Sequence, residues 1–484
     1  MSQSTVPPAR TRSQGLATRT SKPTVLSLFT GAGGLDIGLE AAGFKLVGSV
    51  EQNPDCRATL RLNRPRWPQL DPGDIFAHTP ADILNTFGVA PRELTLVAGG
   101  PPCQPFSKSA LWVSGESPGM SDPRAKTLDA YMAVVEAALP QAMLLENVKG
   151  IGFVGRGRKV AEQALSVLDA RLDEINERHD TNYVPRILHL DAADYGVPQH
   201  RERLFVFASR EAHELEPPAP THGPKAAGTS TTAYRTCWDA IGDLDFPSED
   251  ADLAPRGRWA ELLPSVPEGH NYLWHTPRGG GEPLFGWRTK FWSFMLKLAR
   301  DQPAWTLQAQ PGPATGPFHW QDRCLSLREM ARLQTFPDDW QITGDYAAGR
   351  RQMGNAVPAA LGELLGLEIR RAVQGAQVRR ALRLIPEARD ACPAPIEPAA
   401  VPSRYDELRG EHQDHPGAGL GPAAAKRKAL ADAAKRDAQA VRAEAAGAKD
   451  SQAKVNDDEE PDGARITRGT EPAIAVADDV PIAA

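Results

Sequence analysis

Cysteine is scarce in this sequence, with five residues in a chain of 484. The five are widely spaced, and neither a Cys-x-x-Cys pair nor a cluster with histidine occurs, so the sequence predicts no disulfide framework and no metal site. Apolar runs long enough to span a membrane are also missing, and we expect no signal peptide. These absences favour a protein of the reducing cytoplasm without a membrane partner.

An excess of positive charge is missing as well. Lys and Arg number 55 against 61 Asp and Glu, for a formal net charge of -6. This balance excludes a generic basic nucleic-acid binder, although a locally positive cleft is compatible with it. Residues 1–23 differ, because they hold the basic residues Arg10, Arg12, Arg19 and Lys22 and no acid. That segment is predicted to be a disordered basic arm.

A glycine-rich turn follows the first apolar run of the chain. Leu26-Ser27-Leu28-Phe29 leads into Thr30-Gly31-Ala32-Gly33-Gly34, and helical spacing of apolar residues begins at Leu35. The pattern predicts a strand, a tight turn and a helix. Because glycine has no Cβ, such a turn lets a ligand approach the backbone closely.

Two acidic residues follow at positions that suit a nucleotide-like cofactor. Glu51 ends the apolar run 46–50, roughly 20 residues after the glycines, where Rossmann-like folds place an acid that accepts hydrogen bonds from ribose hydroxyls. Asp74, in Gly73-Asp74-Ile75, is predicted at the edge of a third strand, where it would touch an adenine ring. The spacing fits NAD as well, so these residues alone do not name the cofactor.

Two reactive side chains follow later apolar runs. Residues 94–100 predict a strand that delivers Cys103 within Pro101-Pro102-Cys103-Gln104-Pro105-Phe106-Ser107. The prolines stiffen the backbone and indicate a loop with an exposed thiol, rather than a buried structural cysteine. Residues 142–145 predict the next strand and present Glu146 at the equivalent edge, where open parallel sheets bind ligands.

With these residues the chain resembles the DNA (cytosine-5)-methyltransferase family, in its bacterial modification form. The resemblance extends over roughly residues 24–373. Its blocks follow in the family's order and are highly specific as a set: 29–34, Glu51, Asp74, 101–107, Glu146-Asn147-Val148, Gln199-His200-Arg201-Glu202-Arg203, 328–337 and Gly354-Asn355-Ala356-Val357-Pro358.

The resemblance implies an α/β fold, with a Rossmann-like S-adenosylmethionine-dependent methyltransferase domain and a smaller, partly irregular target-recognition domain. The first part of the catalytic and cofactor-binding domain would occupy residues 24–210, and the target-recognition domain residues 211–325. Residues 326–375 would return to the catalytic domain, ending in a helix from Ala359 to Val373 that packs back against the first strand. Residues 376–484 would form a linker and a charged, alanine-rich tail, which its composition predicts to be disordered.

The implied activity is transfer of a methyl group from S-adenosylmethionine to C5 of a cytosine flipped out of duplex DNA. The Cys103 thiolate would attack C6 and make C5 nucleophilic. Glu146 would hold N3 and the exocyclic amine, and Arg203 would contact O2 with Arg201 nearby. Residues 108–126 are predicted to be a mobile loop that closes over the DNA.

The same resemblance implies further contacts. The cofactor-binding residues would be Phe29, Gly31, Gly33, Gly34, Glu51, Gln52, Asp74, Ile75, Pro102, Leu128 and Asn355. The DNA-binding residues would be Gln104, Ser107, Arg278, Arg288, Lys290, Gln308 and Gln310, among which Arg and Gln can pair bidentately with guanine or adenine edges. The tryptophans of residues 211–325 are interpreted as core or interdomain packing rather than base-stacking platforms.

Three alternatives stay open at this point. A tRNA cytosine-5 methyltransferase of the same fold would share the Pro-Cys-Gln loop, although the long recognition segment favours duplex DNA. A non-catalytic DNA-binding regulator would not need the intact Cys103 and Glu146, and an NAD oxidoreductase leaves the Cys103 loop unexplained. We expect a monomeric enzyme of the bacterial cytoplasm, bound to nucleoid DNA, with a restriction endonuclease as its genetic partner.

Overall fold

The computed structural model describes residues 22–102, 126–148, 158–224, 230–244, 253–287, 291–379 and 381–410. Its strands are β1 (Thr24–Leu28), β2 (Lys45–Val50), β3 (Leu96–Gly99), β4 (Ala142–Val148), β5 (Arg186–Asp191), β6 (Gln199–His200), β7 (Glu202–Ser209), β8 (His222–Gly223), β9 (Thr232–Ala233) and β10 (Ala304–Trp305). Its helices are α1 (Gly34–Ala41), α2 (Pro54–Asn63), α3 (Pro80–Thr86), α4 (Lys126–Ala138), α5 (Arg158–His179), α6 (Cys237–Ile241), α7 (Leu327–Leu333), α8 (Tyr346–Asn355) and α9 (Ala359–Gln374).

Six of the strands form one sheet in the order β2-β1-β3-β4-β7-β5. The pairs β1–β2, β1–β3 and β3–β4 are parallel, whereas β7 runs antiparallel to both β4 and β5. This arrangement confirms the predicted α/β fold. The strands coincide with the apolar runs because a strand covered on both faces must be apolar at consecutive positions.

Side chains of the sheet alternate between two apolar cores. Val25 of β1 belongs to a core with α1 and α9, whereas Leu26 and Leu28 belong to a second core with α3, α4 and α5. The helices therefore cover both faces of the sheet. Helices on the two faces do not cover the edge at which the parallel strands end, which is where such sheets bind ligands.

The strand ends lie level at this edge. Leu28 of β1 pairs with Val50 of β2 and with Gly99 of β3, and Gly99 pairs in turn with Leu145 of β4. The residues that follow these positions therefore meet at one edge of the sheet. The glycine turn, Glu51, the segment that leads to Cys103, and Glu146 all belong to it.

One local prediction differs from the structure. The third strand predicted at residues 73–75 is instead a turn of 3-10 helix, Ile75–Ala77, in which Phe76 N donates to the Asp74 side chain. An Asp side chain favours such a cap over a place in a sheet ladder. The helix α9 packs on α1, where a Cβ added at Gly38 would lie 2.2 Å from the Ala359 carbonyl oxygen, and it shares an apolar core with Val25 of the first strand.

Residues 211–325, which we call the recognition region, are largely irregular. Their strands β8, β9 and β10 are two residues long each, and their apolar core is rich in aromatic side chains. Tyr405 belongs to that core and is 2% exposed, with its ring stacked on Trp259 and its hydroxyl donating to the Arg258 carbonyl oxygen at 2.8 Å. A segment far along the chain therefore completes the recognition region.

The described residues of 376–410, at the start of the predicted linker, are held by hydrogen bonds to the rest of the chain. The backbone N–H groups of Arg383 and Leu384 donate to the buried carboxylate of Glu363 on α9, and Ala399 N donates to the Pro264 carbonyl oxygen. We call the six-stranded sheet and the helices that cover it the sheet half. The segment thus contacts first the sheet half, at α9, and then the recognition region. The predicted arm and tail fall almost wholly at residues 1–21 and 411–484, outside the described residues, and the division into domains stays a prediction.

Candidate active site

The glycine turn places open space at the end of β1. Phe29, Gly31 and Gly33 have positive φ angles of 55°, 58° and 86°. A Cβ added at Gly31 would meet no atom within 4 Å, so the space beside this backbone is free for a ligand. Gly33 and Gly34 are needed for packing instead, since a Cβ there would lie 2.9 Å from Leu60 Cδ2 and 2.1 Å from the Val357 carbonyl oxygen respectively.

Glu51 is joined to the glycine turn by direct hydrogen bonds. Its Oε2 accepts from Gly31 N at 2.6 Å, and its Oε1 accepts from Asn53 N at 2.7 Å. Burial raises the pKa of this carboxyl, while the two backbone bonds act in the opposite direction. Gln52 follows directly and is exposed. The carboxylate is thus held in position beside Gly31, next to the open space.

The 3-10 turn at residues 75–77 lies beside Glu51. A Cβ added at Gly73 would lie 1.9 Å from the Glu51 carbonyl oxygen, which shows how closely the two backbones approach. Asp74 Oδ1 accepts from Phe76 N at 3.0 Å, and Ile75 is buried. The structure therefore brings the predicted ribose and adenine contacts together, although no strand carries Asp74.

The remaining predicted cofactor residues come from more distant parts of the chain. Pro102 is exposed, and its carbonyl oxygen accepts from the Thr127 hydroxyl at 3.4 Å, which places the start of α4, with Leu128, at the end of β3. Asn355 is the exposed last residue of α8. It lies between Gly354 and Ala356, next to the segment that packs on Gly34.

Glu146 and Arg203 form a nearly buried ion pair. Arg203 Nε lies 2.8 Å from Glu146 Oε1, and their side chains are 10% and 13% exposed. Burial raises the pKa of Glu146, and the neighbouring Arg203 and Arg201 counteract that rise. A Cβ added at Gly100 would lie 2.8 Å from Glu146 Oε2. The carboxyl group therefore lies against the strand end that leads to Cys103.

Arg201, predicted to lie near the site for the carboxyl or the backbone, is near Glu146 and is bonded to backbone carbonyl groups. Its guanidinium is fully buried and donates to the carbonyl oxygens of Leu307 (3.3 Å), Gly354 (2.7 Å) and Ala356 (2.8 Å). Burial lowers the pKa of this group well below its ordinary value. The donors of Arg201 are directed at backbone carbonyls. Arg201 therefore joins the chain between β6 and β7 to residue 307 and to residues 354–356, and it is placed to position the site rather than to contact a substrate.

The segment 304–310 of the recognition region runs beside these residues. Ala304 and Trp305 pair with Gln199 and His200, and Leu307 N donates to Gln199 Oε1 at 3.2 Å. A Cβ added at Gly354 would lie 2.6 Å from the carbonyl carbon of Gln308. The predicted base readers Gln308 and Gln310 therefore lie next to β6 and to Asn355. Gln308 is partly buried and Gln310 is exposed.

Sequence reasoning missed Asp191 and Asp36. Asp191 Oδ1 accepts from Arg201 N at 2.8 Å, and its Oδ2 lies 2.9 Å from His200 Nδ1. An acid at the end of the alternating run 187–190 was the available signal. Asp36, 2% exposed on α1, has no hydrogen-bond partner for either oxygen, and burial raises its pKa to about 7.

Five predicted residues lie outside the described part of the chain: Cys103, Gln104, Ser107, Arg288 and Lys290. The predicted mobile loop at 108–126 lies there too, except for its last residue. Arg278 is described and exposed, with its guanidinium carbon 4.1 Å from the centre of the Trp287 ring.

The four described cysteines, Cys56, Cys237, Cys324 and Cys392, are free thiols. In each of them burial raises the pKa, that of Cys56 to about 12, so none is activated as a thiolate.

Over the described residues there is no group of three or more His, Cys, Asp or Glu side chains that could hold a metal ion. Within the same part of the chain, no helix combines the length and the apolar character needed to cross a membrane.

The sequence of this chain is similar to those of known proteins. Residues 24–371 match the family model of the C-5 cytosine-specific DNA methylases. The Type II methyltransferase M.SacI of Streptomyces achromogenes is 37% identical over 368 residues, which cover 70% of this chain and 91% of that protein. The Type II methyltransferase M.PspPI of a Psychrobacter species is 32% identical over 364 residues, covering 73% of this chain and 80% of its relative. The Type II methyltransferase M.AquIA of a Picosynechococcus species is 40% identical over 239 residues, covering 48% and 93%.

Proposed function

This chain belongs to the C-5 cytosine-specific DNA methylase family, and from that premise we propose that it flips one cytosine out of a specific duplex sequence and methylates it through a covalent bond to Cys103. It is a DNA (cytosine-5)-methyltransferase, and its cofactor is S-adenosylmethionine. The relatives carry the name Type II methyltransferase, which supports a role beside a restriction endonuclease with the same recognition sequence.

The open space at the end of β1 fits the cofactor. Gly31 offers unobstructed backbone, the Glu51 carboxylate accepts from Gly31 N, and Gly73, which precedes Asp74, lies against the Glu51 carbonyl oxygen. We assign the ribose hydroxyls to Glu51 and the adenine to Asp74 and Ile75, with Pro102 and Leu128 on the opposite side. When bound, S-adenosylmethionine supplies an electrophilic methyl group.

Cys103 would act as the nucleophile. Its thiolate adds to C6 of the cytosine, which breaks the aromatic ring and places electron density on C5. After C5 is methylated, a base removes the C5 proton, the C5–C6 double bond re-forms and the thiolate leaves. The raised pKa values of the four described cysteines support Cys103 for this role.

The Glu146–Arg203 pair is the observation that carries the proposal. The carboxyl group is nearly buried, its pKa is raised by burial, and it lies against Gly100, three residues before Cys103. A carboxyl group at this place can hold N3 and the exocyclic amine of the base, and transfer of a proton to N3 would relieve the negative charge that develops in the ring. Arg203 holds its orientation and would reach the cytosine O2.

Covalent trapping tests the proposal. In DNA whose target cytosine carries fluorine at C5, the last proton removal is blocked, so the enzyme stays attached to C6. We expect a complex that survives denaturing electrophoresis for the wild type and none for Cys103→Ser. Glu146→Gln should form it about 10²- to 10⁴-fold more slowly, because the acid is lost.

The matched control is Cys392→Ser, which alters an exposed cysteine outside the candidate site and should trap like the wild type. Trapping by Cys103→Ser, or an unchanged rate for Glu146→Gln, would contradict the assigned roles.

A further inference from the structure

Three tryptophans of the recognition region are exposed and differ in this from the packed Trp320. Eight large hydrophobic side chains are exposed among the described residues, and three of them are Trp287 (41%), Trp292 (48%) and Trp305 (38%). Single exposed apolar side chains are common, whereas exposed apolar side chains that form a contiguous patch mark a binding surface. Trp320, by contrast, is fully buried.

Two of these tryptophans belong to one aromatic surface, which we define as His200, Tyr234, Trp292 and Trp305. The Trp305 ring centre lies 5.9 Å from that of His200 and 5.5 Å from that of Trp292. The His200 ring in turn lies 5.4 Å from Tyr234 in an edge-on arrangement. Rings at these spacings are in contact, so the four side chains form a continuous surface.

This aromatic surface is held rigidly. Trp305 lies in the strand pair β6–β10, and the Thr306 hydroxyl donates to the His200 carbonyl oxygen at 2.7 Å. Tyr234 donates its hydroxyl to Asp194 Oδ1 at 2.9 Å, and the Trp292 carbonyl oxygen accepts from Asn271 Nδ2 at 2.7 Å. A preorganised surface loses little freedom when it binds.

The aromatic surface is also close to the candidate active site. His200 precedes Arg203 by three residues, which span at most about 10 Å of extended chain. Arg203 contacts Glu146, which we propose to hold the target base. The surface therefore borders the place where the extruded cytosine would enter the pocket.

The charges nearby indicate which part of the DNA would be contacted. Asp191, Asp194 and Glu202 surround His200 and make this surface unsuited to phosphate. Aromatic rings instead stack on base faces. In an intact duplex these faces are covered by their neighbours, but extruding one nucleotide uncovers the faces on either side of the gap.

We propose that the surface formed by His200, Tyr234, Trp292 and Trp305 stacks on the bases that are uncovered beside the flipped cytosine, with Trp305 as its central contact. This inference rests on the base flipping of the proposed function. Stacking there stabilises the opened duplex and so favours extrusion of the target.

The test uses a duplex that carries the sequence methylated by the wild type, with fluorescent 2-aminopurine next to the target cytosine. Flipping by the wild type should increase the 2-aminopurine fluorescence, and a ring stacked on the probe lowers it again. For Trp305→Ala we expect an altered fluorescence change and binding weakened about 5- to 100-fold by anisotropy. Trp305→Phe should recover most of the affinity, and Trp292→Ala should show a smaller loss.

Leu62→Ala is the control, because it removes another exposed apolar side chain, which is 52% exposed on α2. Wild-type affinity and fluorescence for Trp305→Ala, with a normal wild-type signal, would overturn this inference alone. Absence of any wild-type fluorescence change, together with absence of wild-type trapping on the 5-fluorocytosine duplex, would overturn base flipping itself and this inference with it.

Discussion

The sheet half and the recognition region are stabilised in different ways. The sheet is a ladder of parallel and antiparallel strands between two cores made largely of aliphatic side chains. The recognition region has only two-residue strands in its described part, and its core consists largely of aromatic side chains that include Tyr405. One half therefore depends on backbone pairing, and the other on side chains from distant parts of the chain.

The difference suits the two tasks. A regular sheet holds side chains at fixed strand ends, as it does with Glu51 and Glu146. An irregular region can present varied side chains to DNA without changing the sheet. The two are joined where β6 pairs with β10 and where Arg201 donates to the Leu307 carbonyl oxygen, whereas its bonds to Gly354 and Ala356 lie within the sheet half.

The largest loss of stability is expected when Arg201 is replaced. Arg201→Met removes all three hydrogen bonds and leaves buried carbonyl oxygens without their donor, so we expect the free energy of unfolding to fall by about 3–5 kcal/mol. Urea denaturation measures it. Arg328→Met, at a side chain that is 59% exposed, should change it by less than about 0.5 kcal/mol. Equal stability of the two variants would show that Arg201 does not join the halves.

A smaller loss is expected at Tyr405. Tyr405→Ala removes a buried ring from the aromatic core and should cost about 3 kcal/mol. Trp fluorescence should report the loss, because Trp259 stacks on Tyr405. Glu407→Ala, at a side chain that is 74% exposed, is the neighbouring control.

A chain that ends at Gly410 keeps Tyr405 and its contacts, so we expect normal stability, activity and choice of sequence. An altered methylated sequence in that shortened chain would give the remaining tail a role in recognition. Unchanged unfolding of Tyr405→Ala would mean that the recognition region does not depend on the segment at 376–410.

The smallest effect concerns the His200–Asp191 pair between β6 and β5. The hydrogen bond to Asp191 raises the pKa of His200, so its contribution is complete below the unfolded value of 6.5 and is lost as the pH rises through the folded value. Burial acts to raise the pKa of Asp191, but the bonds from His200 and Arg201 lower it overall. Its contribution is therefore lost as the pH falls below about 3.8.

The pair should thus stabilise the protein most between about pH 4 and 6.5, by less than about 1 kcal/mol because both side chains are partly exposed. Urea unfolding at pH 6 and pH 8.5 should show a stability difference in the wild type that His200→Gln reduces. The same difference in both proteins would exclude the pair as its source.

The sequence predicted the sheet half better than the recognition region for a physical reason. Apolar runs such as 94–100 and 142–145 mark buried strands locally, and the glycine turn and the acids after the strands mark the open edge. Nothing local indicates that Tyr405 completes a core around Trp259, or that Arg201 bonds carbonyls of residues 307 and 354. Such contacts depend on tertiary packing, and so does the exposure of Trp292 and Trp305.

The most direct test of the central claim is bisulfite sequencing of DNA from cells that express this protein, beside cells that express Cys103→Ala. Bisulfite deaminates cytosine and leaves 5-methylcytosine, so modified positions are read individually. We predict 5-methylcytosine in one fixed short sequence, absent from the Cys103→Ala cells. Methylation that persists in the variant would contradict the role of Cys103, and the absence of methylation in both would contradict sequence-specific DNA methylation by this chain.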